Sequence, residues 1–186
     1  AGDPNSINSE IIFKSWKKIN YSLKKKNYLI ANYRLIFSQF KKINAKVPII
    51  KVKSIDDKLI SNKLKIIDIP LNYKNPFNVS LNHSKKYVIE SFNLAHELSK
   101  NELVKGLINC PIDKKLISNT KKIGVTEFLA DKCKIKDNTE VMLIHNKSLS
   151  VLPLTTHIKL KDISKKINKN LIIKKMLTLK EDFKKL

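Results

Sequence analysis

Three polar residues in the later part of this 186-residue chain sit where α/β proteins commonly do chemistry. His157 follows an expected strand, Ser148 to Thr155, at the loop where such folds place ligands. An imidazole there suits a divalent metal. A strand-end histidine can equally hydrogen-bond locally, and one histidine does not make a metal site. Thr126 opens an expected helix, Thr126 to Lys132, where a hydroxyl beside free backbone N–H groups suits an anion and also suits plain N-capping. Lys114 closes a Pro-Ile-Asp-Lys run after an apolar stretch, placed to meet a carboxylate or phosphate or to stand in solvent. Cys110 beside Pro111 reads as a small core residue rather than a nucleophile, because no histidine is near it in sequence. No GxGxxG, Walker or HExxH motif occurs.

These residues lie in three ordered segments: Cys110-Pro111-Ile112-Asp113-Lys114, Gly124-Val125-Thr126-Glu127-Phe128-Leu129-Ala130, and Thr155-Thr156-His157-Ile158-Lys159-Leu160-Lys161-Asp162. Gly2-Asp3-Pro4 precedes them, where Asp3 is expected to shape a turn before the first helix and Pro4 fixes φ. Together they resemble the NAD-dependent 4-hydroxythreonine-4-phosphate dehydrogenases of vitamin B6 synthesis, whose stretches read Pro-x-Asn-Lys, Gly-His-Thr-Glu, Thr-His-x-Pro-Leu-Arg-Asp and Gly-Asp-Pro. The resemblance implies that His157 is a metal ligand, that Thr126 contacts the phosphorylated substrate, and that Lys114 is a weaker catalytic candidate. It implies NAD or NADP as cofactor and a divalent ion (zinc, magnesium or cobalt). It further implies oxidation of 4-phosphohydroxy-L-threonine with later decarboxylation, and a homodimer. In such chemistry a metal favours the substrate alkoxide and polarises the ketone that forms. Two departures stand out. Val125 replaces the family's histidine, and Ser6-Ile7-Asn8-Ser9 replaces its Gly-Ile-Gly-Pro. A related hydroxy-acid dehydrogenase with altered substrate, or a non-catalytic basic binding module, are the alternatives.

Elements that would position these residues follow from periodicity. A helix is expected from about Ser9, capped by Ser6 or Asn8, with Ile12, Trp16 and Ile19 on one face. Strands are expected at 28–31, 48–52 and 64–69, with a helix over 33–43 between the first two and a loop over 70–82. An amphipathic helix from Ser84 places Val88, Phe92, Ala95 and Leu98 inward. A buried strand is expected over 102–109, and a hairpin over 139–155 with its tip at Asn146-Lys147. A last helix capped by Asn168 carries Ile172, Met176, Leu179, Phe183 and Leu186 on one seam, expected to serve a core ahead of an interface. The alternation predicts a layered α/β/α fold with a mixed sheet. The resemblance implies the isocitrate/isopropylmalate dehydrogenase-like type. Residues 1–186 read as a single α/β region, the N-terminal part of a longer dehydrogenase and a little over half of it, expected to be inactive alone.

The chain carries a formal net charge of +22, yet Arg34 is its only arginine. Lys, Ile and Asn dominate, and Gly occurs only three times against an average usage of about 7%. That profile follows an A/T-rich coding sequence. A nucleic-acid reader usually employs arginine, so nucleic acid is not the expected partner. A basic surface would still attract phosphorylated small molecules. No apolar run approaches a membrane span. Cys110 and Cys133 form no disulfide framework, which fits a cytoplasmic chain with reduced thiols.

Overall fold

A computed structural model describes residues 2–55, 62–101, 103–117, 124–135, 139–156 and 158–184. The chain divides into two compact units, Ala1–Asn119 and Thr120–Leu186.

The first unit is built on a parallel three-stranded sheet. Its strands are β1 (Tyr28–Ala31), β2 (Ile49–Val52) and β3 (Leu64–Asp68), in spatial order β1-β3-β2. Leu29 lies opposite Ile66 on one side of β3, and Lys51 lies opposite Ile66 on the other. The middle strand is buried along Leu64 to Ile67, as expected when helices cover both faces of a parallel sheet. Successive side chains alternate between faces. Leu64 and Ile66 join Trp16 of α1 (Asn8–Lys18) and Ile36 and Phe40 of α3 (Tyr33–Lys42) in one apolar cluster. Burying Ile66 completely contributes roughly 1.5–3 kcal/mol. A long helix, α4 (Leu81–Lys100), packs against β1 and buries Tyr87, Val88, Phe92 and Ala95.

Lys65 is 2% exposed in this middle strand. Its Nζ donates to the Lys25 carbonyl at the end of α2 (Tyr21–Lys26) and lies 3.9 Å from the ring centroid of Tyr28, its cross-strand neighbour. The ammonium therefore satisfies a helix-terminal carbonyl while its stem fills the interior.

Two helices end in the same way without glycine. After α3, Asn44 takes φ 52°, Asn44 N donates to Lys41 O, and Ala45 N donates to Phe40 O. After α5 (Val125–Lys132), Lys134 takes φ 55°, with Lys134 N on Asp131 O and Ile135 N on Ala130 O. Both are Schellman ends whose left-handed position ordinarily falls to glycine. In this glycine-poor chain asparagine and lysine occupy it.

In the second unit, β4 (Ile144–His145) and β5 (Ser150–Val151) pair antiparallel, followed by the short α6 (Ile163–Lys166) and α7 (Lys169–Phe183). Asn168 caps α7 by accepting from Leu171 N at 2.9 Å.

Several expectations are corrected. The hairpin forms a separate two-stranded sheet, so the three-stranded sheet is parallel rather than mixed. The hairpin is also shorter than expected, and Pro153, which lacks an N–H, lies just beyond β5. No strand forms among the described residues of 102–109, and Ile108 is 87% exposed. The seam of α7 is not core at Ile172 and Met176, which are exposed. Among its described side chains α7 buries Lys175, whose Nζ donates to Glu140 O at 2.7 Å.

Candidate functional site

In the first unit, chain segments a hundred residues apart meet at the Gly2-Asp3-Pro4 loop. Asp3 Oδ1 accepts from Asn5 N at 2.8 Å and Asp3 O accepts from Ser6 N at 3.2 Å, closing a turn before α1. Asn8 does not cap α1, as the sequence suggested it could. Ile7 occupies the cap position, without a side-chain bond. The Asn8 amide instead donates to Asp3 O at 2.9 Å and to Pro111 O at 3.0 Å, while Asp3 N also donates to Pro111 O. The Gly2-Asp3-Pro4 loop and the Cys110–Lys114 segment are thus joined directly. Gly2 is required there by space rather than by its φ. A Cβ on it would lie 2.1 Å from Asn8 Nδ2 and 2.7 Å from Cys110 Cβ.

The loop is held on its other sides as well. Asn5 Nδ2 donates to Val79 O at 2.8 Å, and Asn5 Oδ1 accepts from Val79 N at 2.7 Å. Gln39 Nε2, buried on α3, donates to Pro4 O and Pro76 O at 2.8 and 2.7 Å. Cys110 is half-buried, and that burial pushes its thiol pKa up, so it stays protonated and is a poor nucleophile.

The carboxyl end of the sheet is organised by Asn32, Asp68 and Tyr87. Asn32 follows β1 and is bonded through its side chain and its N–H. Its Oδ1 accepts from Leu35 N at 2.9 Å and caps α3, its Nδ2 donates to Ile69 O at 2.8 Å, and its own N–H donates to Tyr87 Oη at 3.1 Å. Asp68 Oδ1 accepts from Tyr33 N at 2.7 Å, and its Oδ2 pairs with Lys51 at 2.7 Å. Burial raises the Tyr87 pKa far above its ordinary value, the bond from Asn32 opposes this, and Asp68, joined by the Cys110 thiol once strong alkali has deprotonated it, adds to the rise. Neither Asn32 nor Tyr87 was singled out from the sequence. The signal present was an asparagine directly between a strand and a helix, a capping pattern.

The residues expected to act stand as follows. Lys114 is exposed and begins a 3₁₀ turn, Lys114–Leu116, whose cap Asp113 accepts from Lys115 N at 2.9 Å. Thr126 is exposed in the first turn of α5, but it is not the cap: Gly124 holds that position and Val125 is the first helical residue. Asp3 shapes the turn expected of it. His157 lies outside the described residues. Among the described residues no three His, Cys, Asp or Glu side chains gather to hold a metal ion. The described residues therefore do not complete a metal site. No helix among them is long and apolar enough to cross a membrane.

The family profile described as pyridoxal phosphate biosynthetic protein PdxA matches residues 22–186. The chain belongs to the PdxA family. It is 30% identical over 190 residues to the 4-hydroxythreonine-4-phosphate dehydrogenase of Sulfurihydrogenibium sp., covering 98% of this chain and 56% of that protein. It is 38% identical over 119 residues to the enzyme of that name from Wigglesworthia glossinidia brevipalpis, covering 63% of this chain and 35% of that protein. The crystal structure of a 4-hydroxythreonine-4-phosphate dehydrogenase from Burkholderia phymatum superimposes with a TM-score of 0.81 at 19% identity, over 94% of this chain and 54% of that one. At that identity the superposition speaks for the PdxA fold alone. The chain spans about half the length of the curated PdxA relatives it matches along its whole length.

Proposed function

We propose that this chain supplies the N-terminal part of a 4-hydroxythreonine-4-phosphate dehydrogenase, an NAD-dependent (or NADP-dependent), metal-assisted oxidoreductase of the cytoplasm that works as a homodimer in pyridoxal 5′-phosphate synthesis. The observation that carries the reading is the match of residues 22–186 to the PdxA profile. In this reading the substrate is 4-phosphohydroxy-L-threonine. Hydride leaves its carbinol carbon for the nicotinamide, the hydroxyl gives up its proton, and the resulting β-keto acid loses carbon dioxide.

The chain's own residues have distinct parts in that reading. The first turn of α5 offers the Thr126 hydroxyl and the positive end of the helix to the substrate phosphate. His157 is the one metal ligand this chain contributes. Lys114 stands exposed for a substrate anion. The test is turnover of the natural gene product that contains these residues. With 4-phosphohydroxy-L-threonine, NAD or NADP and a divalent ion, reduced nicotinamide is expected to accumulate, and His157→Ala is expected to abolish it. No reduction with either nucleotide, in zinc, magnesium or cobalt, would overturn the reading.

A second reading rests on Val125. An apolar side chain begins α5 where the resemblance places a substrate-contacting histidine. A related hydroxy-acid substrate would then be oxidised faster, and Val125→His would shift preference back towards 4-phosphohydroxy-L-threonine.

A further inference from the structure

The charge of this chain is unevenly spread. Residues 11–55 carry twelve lysine and arginine side chains and no aspartate or glutamate, so all sixteen acids fall outside that stretch. A coding bias towards A and T raises lysine throughout. It does not clear acids from one stretch, because aspartate and glutamate codons can themselves be written mostly in A and T.

The fold gathers these lysines at one edge. A helix linking two parallel strands runs back against them, so α3 ends at the amino edge of the sheet, where β2 begins. Lys41 and Lys42 close α3 and Lys46 lies in the link to β2, all three exposed. Lys24, Lys25 and Lys26 close α2, and only Asn27 separates them from the start of β1 at the same edge. The last turn of α1 adds exposed Lys17 and Lys18. It is tied to α2 through Lys24 Nζ, 5.5 Å from the ring centroid of Trp16. Lys17 and Lys25 lie over Phe13 and Tyr21 at 4.5 and 4.1 Å. A ring face positions an ammonium without cancelling its charge. The described acids of the first unit stand elsewhere. Asp3 is in the Gly2-Asp3-Pro4 loop, Asp68 ends β3, Glu10 is in the first turn of α1, Glu90 and Glu97 are on α4, and Asp113 caps the 3₁₀ turn. Exposed apolar side chains accompany the lysines: Tyr21 and Leu23 on α2, and Phe37 on α3 one turn before Lys41.

We propose that this amino edge docks on the surface of an anionic lipid bilayer, its lysines against the headgroups and Tyr21 and Leu23 at the interface. Two features favour a bilayer over nucleic acid. The edge has no arginine, the residue suited to bidentate phosphate and base recognition, since Arg34 lies in the first turn of α3 at the other end. The rings of Phe13, Trp16 and Tyr21 are each covered by a lysine, so those faces are closed to stacking bases. The carboxyl end of the sheet, organised by Asn32 and Tyr87, lies opposite, so docking leaves it clear. The surface uses none of Thr126, Lys114 and His157 and stands apart from the dehydrogenase reading.

The test is co-sedimentation of the natural gene product with phosphatidylcholine vesicles, with and without phosphatidylserine as about a third of the lipid. Binding is expected only with phosphatidylserine and should weaken as salt rises. At about fivefold per lysine, the triple variant Lys17→Gln, Lys18→Gln, Lys26→Gln should bind at least tenfold more weakly, with the circular dichroism unchanged. A matched triple, Lys165→Gln, Lys166→Gln, Lys169→Gln, removes the same charge from exposed positions of the second unit and should lose less than about threefold. Leu23→Ser should also weaken binding. The proposal is overturned if phosphatidylserine vesicles are not bound, if plain phosphatidylcholine is bound as tightly, or if the two triples lose equally, which would make overall charge the cause. Poly(U) RNA that displaces the protein from vesicles at equal phosphate concentration would also overturn it, in favour of nucleic acid.

Discussion

Replacing Asn32 with alanine should be the most damaging single change at the carboxyl end of the sheet, and its cost can be divided. The side chain caps α3 through Leu35 N and covers the carbonyl of Ile69. Loss of a cap costs typically about 1 kcal/mol. The Ile69 carbonyl, left without its donor in a buried setting, costs a further 1–3 kcal/mol or so. Together these give about 2–4 kcal/mol. At roughly 2–4 °C per kcal/mol for a chain of this size, the Tm falls by about 4–16 °C. Asn32→Ser separates the terms: serine retains an oxygen for the cap and lacks the reach and donors for Ile69, so it should cost about 1 kcal/mol less than alanine. The assay is urea unfolding followed by circular dichroism, with the slope unchanged and only the midpoint moved. A loss below about 1 kcal/mol in Asn32→Ala would refute the claim that the Ile69 bond matters. Equal losses in the serine and alanine variants would refute the cap.

Three further outcomes are expected. Lys134→Gly should stabilise the chain by about 1 kcal/mol by relieving a non-glycine left-handed residue, and Asn44→Gly should do so by less because asparagine tolerates that conformation; no gain in urea midpoint for Lys134→Gly would count against the Schellman assignment. Stability should fall in alkali. Below pH about 10 Tyr87 is protonated folded and unfolded, but above it the unfolded chain releases a proton that the folded chain holds, so the folded state loses ground as pH rises; Tyr87→Phe should flatten this slope, and an unchanged slope would exclude Tyr87 as its source. In timed acetylation read by mass spectrometry, Lys65 and Lys175 should react last and exposed Lys14 early; equal rates for Lys65 and Lys14 would contradict the burial of Lys65.

The parts of the fold legible in the sequence were those governed by local pattern. The run Tyr28–Ala31, flanked by Asn27 and Asn32, became β1 with the expected ends, and the Val88, Phe92 and Ala95 stripe became the buried face of α4. Misreadings came where distant partners decide. Asn8 has the right type to cap α1, but it lies inside the helix with its Nδ2 donating to Asp3 O and Pro111 O, and its Oδ1 reaches no helix N–H. Val104, Leu107 and Ile108 resemble a buried strand, yet the end of that segment is engaged by Gly2 and Asp3 rather than by a sheet. Lys65 is buried because a helix end and a tyrosine ring receive it, which nothing in Leu-Lys-Ile-Ile-Asp announces. Of the candidate site, the Gly2-Asp3-Pro4 turn was legible, whereas the bonds joining it to Pro111, Val79 and Gln39 span 35 to 108 residues and leave no local trace.

The spatial order β1-β3-β2 has a consequence for how the chain is made. Of the three strands, the central one is synthesised last. While the ribosome has delivered only Tyr28–Ala31 and Ile49–Val52, each of these apolar strands lacks the neighbour it will pair with, and they do not pair with each other. When Leu64–Asp68 emerges, both ladders can close in a single event, and the α1–α3 cluster gains Leu64 and Ile66 at the same moment. A nascent chain stalled before Leu64 would therefore display two unmatched β-edges, the state in which holding by a chaperone matters most.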